Sequence, residues 1–316
     1  MIINSLEQLS INNSEQWALV RGKNPEAPLI IQAQAGPGLP MIPEAASINR
    51  LLHWEEDYVV AYWDQRACGK SFDKNINPDS INLSQMTGDL ISVTEHLLRK
   101  FNKERAILIG YSIGATISLL AAAKQSSLFH NVFLVGIDID VPEANKYILE
   151  FARNKAIEKK KTGLLKQIEE LEKTPVETDK LFQKRAKILT DLGGMLLKTN
   201  YNQLLFSTVR NMLFCKYYSL PDIPKTIRGM SFCQNALLPE INRLNLFEKR
   251  IEVNIPVHFV QGRHDGIAPL EITKKYFDFL PAKEKTFTCF DNSAHMPHLE
   301  EPERFYDLIK GKIIVH

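Results

Sequence analysis

The stretch Arg105-Ala106-Ile107-Leu108-Ile109-Gly110-Tyr111-Ser112-Ile113-Gly114-Ala115-Thr116-Ile117-Ser118-Leu119-Leu120 joins two patterns at a single serine. Ala106 to Ile109 is a continuous apolar run of strand length, as a strand covered by helices on both faces requires. From Ile113 onward, small and apolar residues continue at helical length. Between the two stands Gly110-Tyr111-Ser112-Ile113-Gly114, a G-x-S-x-G pattern at a strand-to-helix turn. A turn this tight needs small neighbours, and it lifts the serine hydroxyl above the sheet. The following helix N-terminus favours negative charge developing there. Ser112 is therefore the candidate nucleophile. The motif alone leaves open a tight turn with an incidental serine.

A serine hydroxyl reacts poorly unless a base takes its proton and a third group orients that base. Around elbows of this kind the order along the chain is Ser, acid, His. After the apolar run Val257-Gln261 comes Gly262-Arg263-His264-Asp265, and after Thr286-Phe290 comes Asn292-Ser293-Ala294-His295. Both loops are expected at the same sheet edge as Ser112. Asp265 is thus the expected acid and His295 the expected base. Among the 8 histidines, His264 and His298 are rivals for the base, each also readable as a loop-packing residue. Asp138 and Asp140 are rivals for the acid, although Asp140 also suits the cap of a helix opening near Pro142.

Working outward, short apolar runs at Trp17-Arg21, Pro28-Gln32, Tyr58-Trp63 and Val132-Gly136 alternate with amphipathic segments such as Leu83-Phe101. Further helical patterns are Ile113-Lys124, Leu270-Leu280 and Pro302-Lys310. This alternation predicts an α/β fold with a mostly parallel sheet. It stops after Asp140 and resumes near Val253. Residues 1–140 and 251–316 are read as two parts of one core, and 141–250 as a helical cap insertion, with a separate helical domain as the alternative.

The chain has 316 residues, 44% hydrophobic and 24% charged, with a net charge of +2, so no broad basic field implies a nucleic-acid partner. Cys68, Cys215, Cys233 and Cys289 form no C-x-x-C pair, and neither a metal site nor a disulfide framework is expected. No secretory signal opens the chain and no run of about 18 apolar residues is present, so a cytoplasmic location without membrane contact is expected. No cofactor is expected. The expected partner is a small-molecule or short-peptide substrate; the sequence does not specify an oligomeric state.

Gln34-Ala35-Gly36-Pro37-Gly38 and Trp63-Asp64-Gln65-Arg66-Ala67-Cys68-Gly69-Lys70-Ser71, taken with the Ser112, Asp265 and His295 segments, resemble the proline iminopeptidase branch of the α/β hydrolases. The first resembles H-G-G-P-G and the second W-D-Q-R-G-x-G-x-S. The likeness covers the core on both sides of the insertion, roughly two-thirds of the chain. It implies an α/β-hydrolase fold with Ser112, Asp265 and His295 as catalytic residues. It also implies an oxyanion hole from the backbone N–H groups of Gly36 and Ile113, and hydrolysis of an ester or amide through an acyl-enzyme.

Gln34, Ala35 and Ala67 depart from the branch's pattern. The insertion also holds none of Trp17, Trp54 and Trp63, whereas the branch's best-defined members carry a Trp- and Glu-containing cap motif that reads a free amine. A proline iminopeptidase-like amide therefore competes as substrate with a small ester, thioester or lactone, and weaker action on proline β-naphthylamide than on short acyl esters is expected. A non-catalytic binding module is the alternative from another class. Within the insertion, Glu143, Glu169, Glu170, Glu172, Glu177 and Asp191 are read mostly as a solvated face. The faces around Leu196, Leu204, Phe206 and Met212 are candidate apolar pocket lining.

Overall fold

Two adjacent asparagines with positive φ, Asn12 (48°) and Asn13 (61°), turn the chain between β1 (Ile3–Ile11) and β2 (Ser14–Gly22). Asparagine tolerates this backbone region, and a two-residue turn of this hand matches the twist of the strands it joins. β1 was not expected from the sequence. Its polar, irregularly alternating residues occupy a sheet edge, where burial is partial.

The computed structural model describes residues 2–313. Residue 1 and residues 314–316, which the expected core segments include, lie outside the described residues. In chain order follow β3 (Leu29–Ala33), α1 (Ala45–Leu52), β4 (Val59–Asp64), α2 (Leu83–Lys100), β5 (Ala106–Tyr111), α3 (Ile113–Lys124) and β6 (Phe129–Val135). Next come α4 (Val141–Glu158), α5 (Leu165–Lys173), α6 (Asp179–Leu192), α7 (Tyr201–Phe214) and α8 (Asp222–Ile241). The chain then returns to the sheet with β7 (Val253–Gly262), α9 (Leu270–Phe279), β8 (Ala282–Phe290), α10 (Pro297–Glu300) and α11 (Pro302–Lys312).

The sheet order is β1-β2-β4-β3-β5-β6-β7-β8. The β1–β2 and β2–β4 pairs are antiparallel and every later pair is parallel. Alternate residues of each central strand feed two separate cores. Ala106 and Leu108 of β5 pack in one with α2, α3 and α9, while Ile107 and Ile109 pack in the other with α1 and α11. This two-sided burial explains why β5 is apolar throughout. Because β3 lies between β4 and β5, the chain reverses its direction of travel across the sheet there. The carboxyl ends of β3 and β5 flank this reversal, the place where such sheets bind ligands.

α4 to α8 lie between β6 and β7 in the chain. Asp140 caps α4 by accepting the Glu143 N–H at 3.0 Å, with Pro142 in the first turn, and Gly193 at φ +89° ends α6. No helix among the described residues is long and apolar enough to cross a membrane.

Candidate active site

Ser112 sits between β5 and α3 with φ 53° and ψ −125°, outside the ordinary regions for a non-glycine residue. Such a conformation stores about 1–3 kcal/mol and persists only when its surroundings fix it. The fixing contacts are visible. The Ser112 N–H donates to Val135 O at 2.8 Å, and a Cβ added at Gly114 would lie 2.2 Å from Ala33 O and 2.4 Å from Gln34 O. Only glycine lets α3 start so close to the end of β3.

Asp265 follows β7 and its carboxylate is fully engaged. Oδ1 accepts the N–H groups of Ile267 and Ala268, both at 2.8 Å. Oδ2 accepts Gln261 Nε2 at 2.9 Å and faces His295 Nδ1 at 2.8 Å. With side-chain exposures of 4% for His295 and 0% for Asp265, this pair is shut off from water. Burial pushes the imidazole pKa down, but the Asp265 and Asp138 carboxylates outweigh burial and hold it above the ordinary value of 6.5.

The loop carrying His295 is clamped by the acidic residues behind it. Glu300 accepts the N–H groups of Ala294 at 2.7 Å and Leu197 at 2.6 Å. Glu301 accepts the Ser293 hydroxyl at 2.6 Å, and His295 N–H reaches Met195 O at 3.2 Å. The α6–α7 connection thereby helps to position the histidine. The rivals fall into other places. His264 is exposed, and His298 is buried against Tyr111 with ring centroids 4.3 Å apart. Burial and the neighbouring His295 press the His298 pKa down to about 3, so its ring is neutral.

The Ser112 hydroxyl itself donates to Asp138 Oδ2 at 3.2 Å, and among the described residues it makes no hydrogen bond to His295. Asp138 follows β6. The structure thus gathers Ser112, Asp138, Asp265 and His295 at one edge, with Asp138 on the hydroxyl and Asp265 on the ring. Asp140, the other rival acid, is occupied in capping α4.

The N–H groups of Gly36 and Ile113 have no protein acceptor among the described residues. The loop between β3 and α1 is held from behind. Asp64 Oδ1 accepts Met41 N–H at 2.7 Å and Ile42 N–H at 3.0 Å, while Oδ2 accepts Lys70 N–H at 3.0 Å and the Tyr218 hydroxyl. Burial raises the Asp64 pKa, and these bonds oppose the rise. Gln34, standing where the resemblance has histidine, closes the loop through Pro40 O at 3.0 Å and the Ala35 N–H at 3.1 Å. Arg66 makes a buried two-pronged bond to Asp89, at 2.6 Å and 2.9 Å. The Asp64-Gln65-Arg66 element is therefore scaffolding; its signal in the sequence carried no hint of which loop it holds.

In the helical segment the expected solvated face is present. Lys146 pairs with Glu143, Lys184 with Glu170 and Arg153 with Glu172, while Glu169 and Glu177 are exposed. Leu196 and Met212 are buried. Phe206 departs from expectation: at 69% exposure it points to solvent, because α7 turns that face away from the rest of the protein. Arg185 was not singled out from the sequence; its guanidinium bonds Asn145 Oδ1 at 2.7 Å and its charge reaches Asp138.

A family model described as "alpha/beta hydrolase fold" matches residues 41–302. The chain is 28% identical to the "Probable aminopeptidase YbaC" of Bacillus subtilis (strain 168), covering 95% of this chain and 93% of that protein. Its structure is similar to that of the proline iminopeptidase from Mycobacterium smegmatis, with a TM-score of 0.66, 17% identity and 97% of both chains covered. It is also similar to an esterase from Exiguobacterium antarcticum, with a TM-score of 0.62, 15% identity and 98% of both chains covered. With the elbow, the sheet order and the family match in agreement, the chain belongs to the α/β-hydrolase fold family.

Proposed function

We propose that the protein is a serine hydrolase that cleaves a small ester or amide through an acyl-enzyme, with Ser112 as nucleophile, His295 as base and Asp265 as the acid behind it. The observation that carries this reading is the water-excluded His295–Asp265 pair, whose carboxylate is held by three further donors at the edge that presents Ser112. In the reaction the Ser112 hydroxyl turns from Asp138 to His295 Nε2 and gives up its proton as Oγ attacks the carbonyl carbon. The free N–H groups of Gly36 and Ile113 receive the oxyanion; one such donor contributes about 3–4 kcal/mol. His295 returns the proton to the leaving group as the tetrahedral intermediate collapses. Water, deprotonated by His295, then attacks the acyl-enzyme, and the proton goes back to Ser112 as the acid product leaves.

Amide and ester substrates share this path, and the relatives named aminopeptidase, iminopeptidase and esterase make both reasonable for this chain. A non-catalytic binding role is separated by one experiment. A fluorophosphonate probe should label the purified protein at Ser112, located by peptide mass spectrometry, and Ser112→Ala should lose both labelling and turnover while melting like the wild type. Normal turnover by the Ser112→Ala protein would end the serine reading, and failure of the wild type to label would favour a ligand-binding role.

A further inference from the structure

α7 turns an apolar face to solvent. Phe206 is 69% and Phe214 83% exposed, and Leu205 and Leu213 are half exposed, whereas Met212 on the other side of the helix is buried. Phe206, Arg210, Leu213 and Phe214 follow the i, i+4, i+7, i+8 spacing of one helix face. Leu220, on the connection to α8, is exposed as well. Large apolar side chains grouped in this way at the surface mark a place where something docks.

The same region carries positive charge without negative charge. Residues 192–221 contain Lys198, Arg210 and Lys216 and no Asp or Glu. A cavity of about 570 Å³ adjoins the last turn of α7, between it, the start of α1 and β2. Arg210 and Phe214 belong to both the helix face and the cavity, and Arg21, Arg50 and Lys216 extend a lining that holds no carboxylate. Arg21 pairs with Glu55 at 3.0 Å, but Arg50, Arg210 and Lys216 make no ion pair among the described residues. Glu44 is not in the lining; its carboxylate accepts Asn211 Nδ2 at 2.6 Å. Burial lifts its pKa to about 7, with the Asn211 bond and the Arg210 charge opposing, so at neutral pH it offsets the cations only in part. None of Ser112, Asp265, His295, Gly36 and Ile113 lines this cavity.

We propose that α7 and the adjoining cavity dock the protein on an anionic phospholipid surface, with lipid phosphates at Arg50, Arg210 and Lys216 and with Phe206 and Phe214 at the acyl boundary. An interfacial helix of this kind lies in the membrane plane with its apolar side chains about 5–10 Å deep and its basic ones among the headgroups. A protein partner suits the face less well. Protein interfaces keep charge away from their centre, whereas Arg210 stands between Phe206 and Phe214. The docking is peripheral, since no helix among the described residues is long and apolar enough to cross a membrane. It departs from the expectation of no membrane contact, which rested on the lack of a span and does not bear on an amphipathic face. It is independent of the chemistry at Ser112.

The test is flotation of the purified protein with vesicles of equal parts phosphatidylglycerol and phosphatidylcholine, and with vesicles of phosphatidylcholine alone, in about 0.1 M NaCl. The wild type should bind the mixed vesicles at least about tenfold more tightly than the neutral ones. Each basic residue near an anionic surface strengthens binding roughly fivefold, so Arg210→Gln with Lys216→Gln should weaken binding to the mixed vesicles more than about tenfold. Phe206→Ser with Phe214→Ser should also weaken it at least about tenfold. Leu205→Ser with Leu213→Ser tests the same face should the first pair misfold, and circular dichroism shows which variants are folded. Equal binding of the wild type to both vesicles, or to neither, overturns the proposal. So does full binding by a folded protein lacking both phenylalanines. Release of the wild type from the vesicles by millimolar inorganic phosphate, with the phenylalanine pair without effect, would make the cavity a soluble-anion site instead. A dimer in gel filtration that the phenylalanine pair abolishes, without vesicle binding, would give the face to a second copy of the chain.

Discussion

Asp64, Asp89 and Asp265 of the sheet half are buried and surrounded by donors, whereas Glu143, Glu170 and Glu172 of the helices between β6 and β7 meet lysines and an arginine on the surface. Both regions are rich in charge, but the charges act differently. A buried carboxylate must be satisfied on every side or its desolvation cost is uncompensated, so each fixes the loop around it. A surface pair is screened and contributes little. The protein thus holds Ser112, Asp265 and His295 through the sheet half, and the helical segment reaches them mainly through backbone contacts such as Met195 O on His295 N–H.

The largest effect that would sharpen this contrast is at Asp265. Asp265→Asn should lower kcat by roughly 10⁴-fold, because an amide leaves the imidazole in the wrong tautomer. His295→Ala should be about as damaging as losing Ser112, since members of one proton relay are not additive. A milder lesion at Asp265 than at Asp138, measured with one neutral acyl ester, would reverse the assignment of the two acids.

Removing the Arg66 guanidinium leaves Asp89 buried without its main partner. Arg66→Ala should cost about 3–5 kcal/mol in a urea melt, with Asp89→Asn also destabilising. A loss no greater than that of a surface pair would break the comparison.

A smaller, directional effect concerns pH. The base must be neutral, and Asp265 and Asp138 hold the His295 pKa above 6.5, with the neutral His298 on its other side. The acidic limb of kcat/KM on a neutral ester should therefore fall above pH 6.5, and activity should drop as pH decreases through it. Asp138→Asn removes one supporting charge and should move the limb to lower pH. A limb that stays in place would separate Asp138 from the histidine.

The smallest effect belongs to the helical segment. Glu170→Gln, which breaks the pair with Lys184, should leave the melting temperature unchanged within error. A clear drop would mean that surface charge in this region holds the fold after all.

Period and punctuation made most of the framework legible. β3 to β6, α2, α3 and the return to the sheet at β7 follow from apolar runs bounded by turns, and α3 matches the expected Ile113–Lys124 at both ends. β1 and α1 escaped because an edge strand and a short helix carry weak patterns. At the site, Ser112, Asp265 and His295 were readable because each lies just after a strand, and strand ends meet at one edge of a parallel sheet.

By itself, the sequence determined the α/β alternation, the strained turn at Ser112 and the placing of Asp265 and His295 just after later strands, because backbone geometry and hydrophobic period are local properties. Only the tertiary structure decided which carboxylate meets which partner. Asp138 and Asp265 each follow a strand and look equivalent in the chain. Their surroundings separate them because Asp265 lands among the N–H groups of Ile267 and Ala268 beside the imidazole, while Asp138 lands against the Ser112 hydroxyl with no other hydrogen bond to its carboxylate among the described residues. Hydrogen bonds between residues far apart in sequence form only when the sheet brings their loops together, and no local pattern encodes that meeting.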